Sequence, residues 1–161
     1  MFSLICVLSA CSVSYKFNGA SIDYTTVKTM SIANFPIKAA LVYPPLAAVF
    51  NEELKDIFTR QTRLNMVSSN GDLQLEGEIT NYALSPQAVG EDAYATKTRL
   101  TISVSIRFTN TKDPDQDKSQ TFSDYRDFDS TQMLTDVQDE LISEIVESLV
   151  DQIFNATVAN W

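Results

Sequence analysis

Lys97, Arg99 and Arg107 fall at odd positions of one alternating run, 97–109. In an extended backbone, residues two apart share a face, so the three cations are expected on one side of a strand. Cations placed in this way could contact phosphate or carboxylate groups through charge-assisted hydrogen bonds. Arg126, on the next strand-like segment, is expected to join them. The plainer reading is a solvated face whose cations pair with Glu76 and Glu78 across a sheet, each pair contributing little. Asp113, Asp115 and Asp117 have the spacing of a calcium loop's first ligands, with Asp124 placed as a last one. Lys118 stands where that loop needs glycine, and helices do not flank the segment, so it reads as a solvated turn and no metal site is expected. The sequence has no histidine, the side chain used most often as general base or transition-metal ligand. With four glycines, none in a phosphate-cradling loop, and the adjacent acids Glu52-Glu53 and Glu91-Asp92 read as solvated, nothing looks catalytic. No cofactor is expected, and the chain reads as a non-enzyme.

The cysteines carry a different chemistry. Met1 to Leu8 is an apolar run resembling the centre of a secretory signal, too short for the roughly 20 residues that span a bilayer. Leu8-Ser9-Ala10-Cys11 then matches the lipobox of bacterial lipoproteins. Small residues before the cut let a peptidase grip extended backbone, and the cysteine sulfur takes the lipid. Residues 1–10 are therefore read as a signal sequence, Cys11 as the lipid anchor, and 11–25 as a tether. No Lys or Arg precedes Lys16, so the true start is expected upstream of Met1. Ser12-Val13-Ser14 lacks the acidic residues of some sorting signals, which suggests an outer-membrane destination with the domain facing the periplasm. More than one acyl chain would make such an anchor stable.

Twelve Lys and Arg against 21 Asp and Glu give a net charge of −9. That balance opposes nucleic-acid binding, which needs basic surface to neutralise phosphates. The 161 residues suit one domain, placed at 26–161.

Around these residues the chain alternates strands and helices. Val27 to Ile37 is rich in strand formers and is expected to end, or to form an edge, at Pro36. Pro44-Pro45 open a helix in which Leu46, Phe50, Leu54, Ile57 and Phe58 recur at helical spacing. Leu73, Leu75 and Ile79 alternate with Gln74, Glu76 and Glu78 in a second strand, with Ser85-Pro86 and Gly90-Glu91-Asp92 read as the next loop. Leu100, Ile102, Val104, Ile106 and Phe108 form the apolar face of the clearest strand. Residues 121–128 return, and Thr135 with Gln138 is read as a capping box before a wide apolar stripe ending at Phe154. The order β-α-β-β-β-α predicts an α+β two-layer sandwich: a four-stranded, mainly antiparallel sheet with two helices on one face.

On the lipobox, the Val27-Lys28-Thr29-Met30-Ser31-Ile32 strand, the Pro45-Leu46 helix ending in Phe58-Thr59-Arg60-Gln61-Thr62, and Gly71-Asp72-Leu73-Gln74-Leu75-Glu76-Gly77, the chain resembles the LPS-assembly lipoprotein family, LptE. The resemblance implies a two-layer domain inside the lumen of the outer-membrane β-barrel LptD, one to one, aiding its assembly and helping deliver lipopolysaccharide to the outer leaflet. An independent periplasmic carrier or scaffold lipoprotein of the same fold is the alternative.

Overall fold

The structure, a computed structural model, describes residues 22–87 and 97–158; residues 1–10, Cys11 and Gly90-Glu91-Asp92 lie outside them. Five strands and two α-helices follow in the order β1 (Thr29–Ile32), α1 (Pro44–Gln61), β2 (Asn65–Val67), β3 (Leu73–Gln87), β4 (Lys97–Asn110), β5 (Lys118–Asp129) and α2 (Leu134–Thr157). The α+β arrangement is as expected, but the sheet has five strands, ordered β2-β1-β3-β4-β5, and it is mixed. β1 lies parallel to both β2 and β3, while β3, β4 and β5 form an antiparallel meander. The four-stranded expectation fails because β2 is only three residues long, below the length at which alternation can be read.

Placing β2 and β3 on opposite sides of β1 forces the 68–72 link to cross β1's backbone. Met30 and Ile32 turn inward, so the crossing runs over Ser31, whose Oγ accepts from the Gly71 N–H at 3.2 Å. A Cβ on Gly71 would lie 2.5 Å from Ser31 N and 2.8 Å from Met30 C, so only glycine passes this close. The crossing buries the Ser31 hydroxyl and leaves the outer sheet face to β3, β4 and β5.

The opposite face packs against both helices. From β4 it buries Leu100, Ile102, Val104, Ile106 and Phe108; α1 contributes Leu46, Phe50, Leu54, Ile57 and Phe58, and α2 contributes Ile142, Ile145, Val146, Leu149, Val150 and Ile153. Truncating a fully buried ring such as Phe50 or Phe58 to alanine costs about 3–5 kcal/mol. Phe35, reached by the chain after β1, presses its ring over Gly77 of β3, where any side chain would displace it. Asn51 on α1 fixes that segment: its Oδ1 accepts from the Phe35 N–H at 2.8 Å and its Nδ2 donates to the Phe35 carbonyl at 3.1 Å.

Three local expectations change. β3 continues through Ser85-Pro86 to Gln87 instead of turning there. A bulge at Thr80 shifts its phase, so Ile79 and Tyr82 both face inward although three apart. The capping box is absent: Met133 precedes α2 without a side-chain cap, and Gln138 Nε2 donates to the Tyr82 hydroxyl at 2.5 Å. Ile22 and Tyr24, on the segment read as tether, pack against the core.

Candidate interaction surface

Lys97, Arg99, Thr101, Ser103, Ser105, Arg107 and Thr109 turn away from the helices, because their neighbours along β4 fill the core. In register beside them β5 supplies Ser119, Thr121, Ser123, Tyr125, Asp127 and Asp129, and β3 supplies Glu76, Glu78, Asn81, Ala83, Ser85 and Gln87. The middle of this outer face is a field of hydroxyls, with Ser103 Oγ donating to Ser123 Oγ at 3.0 Å. Its charges sit at the two ends.

The three predicted cations therefore share a face but not a site. Arg99 and Arg107 are eight residues apart, roughly 27 Å at about 3.4 Å per residue. Arg99 is engaged: its Nε and Nη2 donate to the two oxygens of Asp127 at 2.7 and 2.9 Å, and its guanidinium lies 3.6 Å above the Tyr125 ring. The Arg99 hydrogen bonds, with their charge, hold the Asp127 carboxyl below the usual carboxylate range. Lys97 stands opposite Asp129, whose carboxyl is also lowered, chiefly by hydrogen bonds from Thr131. Arg107 Nη1 reaches Glu76 Oε1 at 3.3 Å with both side chains more than half exposed, a pair of small energetic weight. Glu76 is the pairing partner foreseen for these cations, whereas Asp127 and Tyr125 were not. Their odd-numbered parity with Ser123 in β5 is the signal that would have placed them on this face.

Arg126 does not join the group. It shares parity with the inward Phe122 and Phe128, so it lies on the helix side, where its Nε donates to Glu144 Oε2 at 2.8 Å. The Asp113 and Asp117 carboxylates close their own turn. Asp117 Oδ1 accepts from the Asn110 N–H at 2.8 Å and Asp113 Oδ2 from Gln116 Nε2 at 2.9 Å. Among the described residues no three metal-ligating acid or thiol side chains converge.

Charge divides the two faces. α2 carries six acidic side chains and no basic one, and α1 carries three against two, so the helices hold −7 of the net −9. The outer sheet face is hydroxyl-rich and close to neutral by comparison. Such a face can hydrogen-bond a polar wall or a partner's acidic groups without the repulsion the helix layer would impose. Among the described residues no helix is long and apolar enough to cross a membrane.

The family model for LptE, described as lipopolysaccharide-assembly, matches residues 27–157. Among solved structures, the minor lipoprotein from Acinetobacter baumannii is similar at 16% identity and TM-score 0.56, covering 83% of this chain and 94% of that one. The rare lipoprotein B from Shewanella oneidensis is similar at 14% identity and TM-score 0.56, covering 82% and 95%. Protein CT253 from Chlamydia trachomatis is similar at 11% identity and TM-score 0.55, covering 83% and 99%. At these identities the likeness is one of fold. None of the curated proteins matches the chain by sequence.

Proposed function

This chain belongs to the lipopolysaccharide-assembly family LptE, and on that premise we propose that it acts as a plug and assembly partner of the outer-membrane β-barrel LptD. Membership places it in lipopolysaccharide transport and assembly, among lipoproteins associated with the outer membrane. In the proposed role its domain docks in the barrel lumen, one to one, aids folding of the barrel and helps deliver lipopolysaccharide to the outer leaflet. Cys11 is the anchor, carrying the acyl chains that hold the domain at the membrane.

The observation that carries this reading is the outer face of β3, β4 and β5. It is broad, hydrogen-bonding and nearly free of apolar side chains, with Tyr125 the large exception at 46% exposure. A barrel lumen is polar, and a face of serines and threonines can hydrogen-bond it without burying unpaired charge. Lys97 and Arg107, at opposite ends, are the cations left to meet lipopolysaccharide phosphates, since Arg99 is committed to Asp127.

The test is capture of the tagged, lipidated chain from detergent-solubilised outer membranes, with its partner identified by mass. A stable one-to-one complex with a barrel supports the reading. Recovery of the chain alone, with no barrel subunit, overturns it in favour of an independent carrier.

A further inference from the structure

The two edges of the sheet are built differently. β2 offers three residues, whereas β5 is 12 residues long. In an antiparallel ladder alternate residues turn their N–H and C=O away from the neighbouring strand, and on an edge these groups can template another strand. Tyr125 is one of the outward residues, and both its backbone groups are already taken. Its N–H donates to Asp124 Oδ1 at 2.8 Å and its carbonyl accepts from Arg126 Nη1 at 2.8 Å. The guanidinium is held from α2 as well, Nε donating to Glu144 Oε2 at 2.8 Å and Nη2 to the Glu144 carbonyl at 3.3 Å. Four residues on, the Asp129 N–H donates to Gln132 Oε1 at 3.3 Å, and its carbonyl accepts from the Gln132 N–H at 3.0 Å.

The sequence of β5 says what this edge would otherwise accept. Laid antiparallel against itself about Tyr125, the strand sets Asp124 opposite Arg126 of the copy, Phe122 opposite Phe128, and Ser123 opposite Asp127. No like charges face each other, and two apolar pairs and an aromatic pair do. Such an arrangement is two-fold and closes on itself.

We propose that Asp124, Arg126 and Glu144 lock the β5 edge against antiparallel pairing with a second copy of this chain. The lock keeps the domain single, and with the edge closed any partner meets the chain through side chains instead of an added strand. This inference stands independently of the barrel reading.

The decisive variant is Asp124→Ser with Arg126→Ser in the full chain, which leaves net charge unchanged and keeps the Phe122, Tyr125 and Phe128 pairings. Light scattering is expected to show a monomer for the native chain and a doubled mass for the variant at micromolar concentration. Adding Thr121→Pro to the variant is expected to restore the monomer, since an edge proline removes an outward N–H while sparing the β4 ladder. Amide hydrogen exchange on the native chain gives a separate reading. The Tyr125 amide should be protected like those of Asp124 and Arg126, which face β4, while Thr121 and Ser123 exchange fast. A folded variant that stays monomeric, a dimer indifferent to Thr121→Pro, or a Tyr125 amide as fast as that of Ser123 overturns the proposal. If the variant does not fold, the exchange measurement decides alone.

Discussion

Thr29 and Asp72 hold each other through three hydrogen bonds: the Thr29 N–H and hydroxyl each donate to Asp72 Oδ2 at 3.0 Å, and the Asp72 N–H donates to Thr29 Oγ1 at 2.9 Å. The Lys28 N–H donates to the same Oδ2 at 2.9 Å, and Lys112 Nζ sits 3.0 Å from Oδ1. One carboxylate thus ties the start of β1 and the β4–β5 turn to the start of β3. It also fixes the link that crosses β1.

These contacts predict a pH dependence. The Lys28 backbone hydrogen bond, then Lys112 and Thr29, hold the Asp72 carboxyl well below the usual carboxylate range. A carboxyl lowered on folding contributes stability that is complete above its unfolded pKa of about 3.9 and is lost as pH falls through the folded value. Asp72→Asn is therefore expected to lower the melting temperature by several degrees at pH 7 and to flatten its fall below about pH 4. Melting curves from pH 7 to pH 2 check this. A variant whose stability falls in parallel with the native protein's would remove Asp72 from the account.

Gly71→Ala tests the crossing itself. The added methyl would meet Ser31 N, Leu73 O and Met30 C at 2.5–2.8 Å, all backbone atoms that no side-chain rotation can clear. Overpacking of this kind costs about 1–3 kcal/mol. Urea denaturation should show that loss as a lower midpoint with an unchanged slope. A stability equal to the native chain's would mean the link does not pass where the structure places it.

The strands with one apolar face were legible because alternation over many residues leaves little choice. β4, with five buried apolar residues at even positions, is the clearest case. What failed was short or broken in phase. Asn65-Met66-Val67 is too short to alternate, and it is held by parallel pairing to Thr29, Met30 and Ser31, a tertiary fact. Thr80 inserts an extra residue, so Ile79 and Tyr82 break a period of two. In β5 the inward positions between Phe122 and Phe128 are Asp124 and Arg126, charges an edge strand tolerates because α2 supplies Glu144 and solvent is near. Reading Arg126 by its polarity put it outside; its parity with the two phenylalanines puts it on the helix side. The cations of β4 were placed on the right face, but a strand that long cannot bring Arg99 and Arg107 together.

Removing the proposed anchor should separate attachment from folding. The buried hydrophobic residues of the described structure all lie at Val27 or beyond. Cys11→Ala is therefore expected to keep the native circular-dichroism spectrum and melting temperature while moving the protein from the membrane to the soluble fraction. Mass spectrometry of the native chain should find a diacylated or triacylated cysteine at its N-terminus. A native chain without acyl mass, still attached to membranes, would show that something else holds it there.

The outer-face cations can be separated by what each is already doing. Arg107 is paired with Glu76 across 3.3 Å in full view of solvent, so reversing it to glutamate should change stability by no more than about 0.5 kcal/mol. The same holds for Lys97, which is exposed opposite Asp129. Arg99→Glu is different, because it would break a partly buried, two-bond ion pair with Asp127 and strip the cation from Tyr125. That variant is expected to melt lower, and a loss of binding in it would confuse contact with unfolding. Lys97→Glu with Arg107→Glu is the informative pair. It should melt as the native protein does and bind lipopolysaccharide or barrel more weakly. The loss should be larger at low salt, where exposed charges are less screened. Equal binding by the native and doubly reversed proteins across that salt range would show that these cations only solvate the sheet.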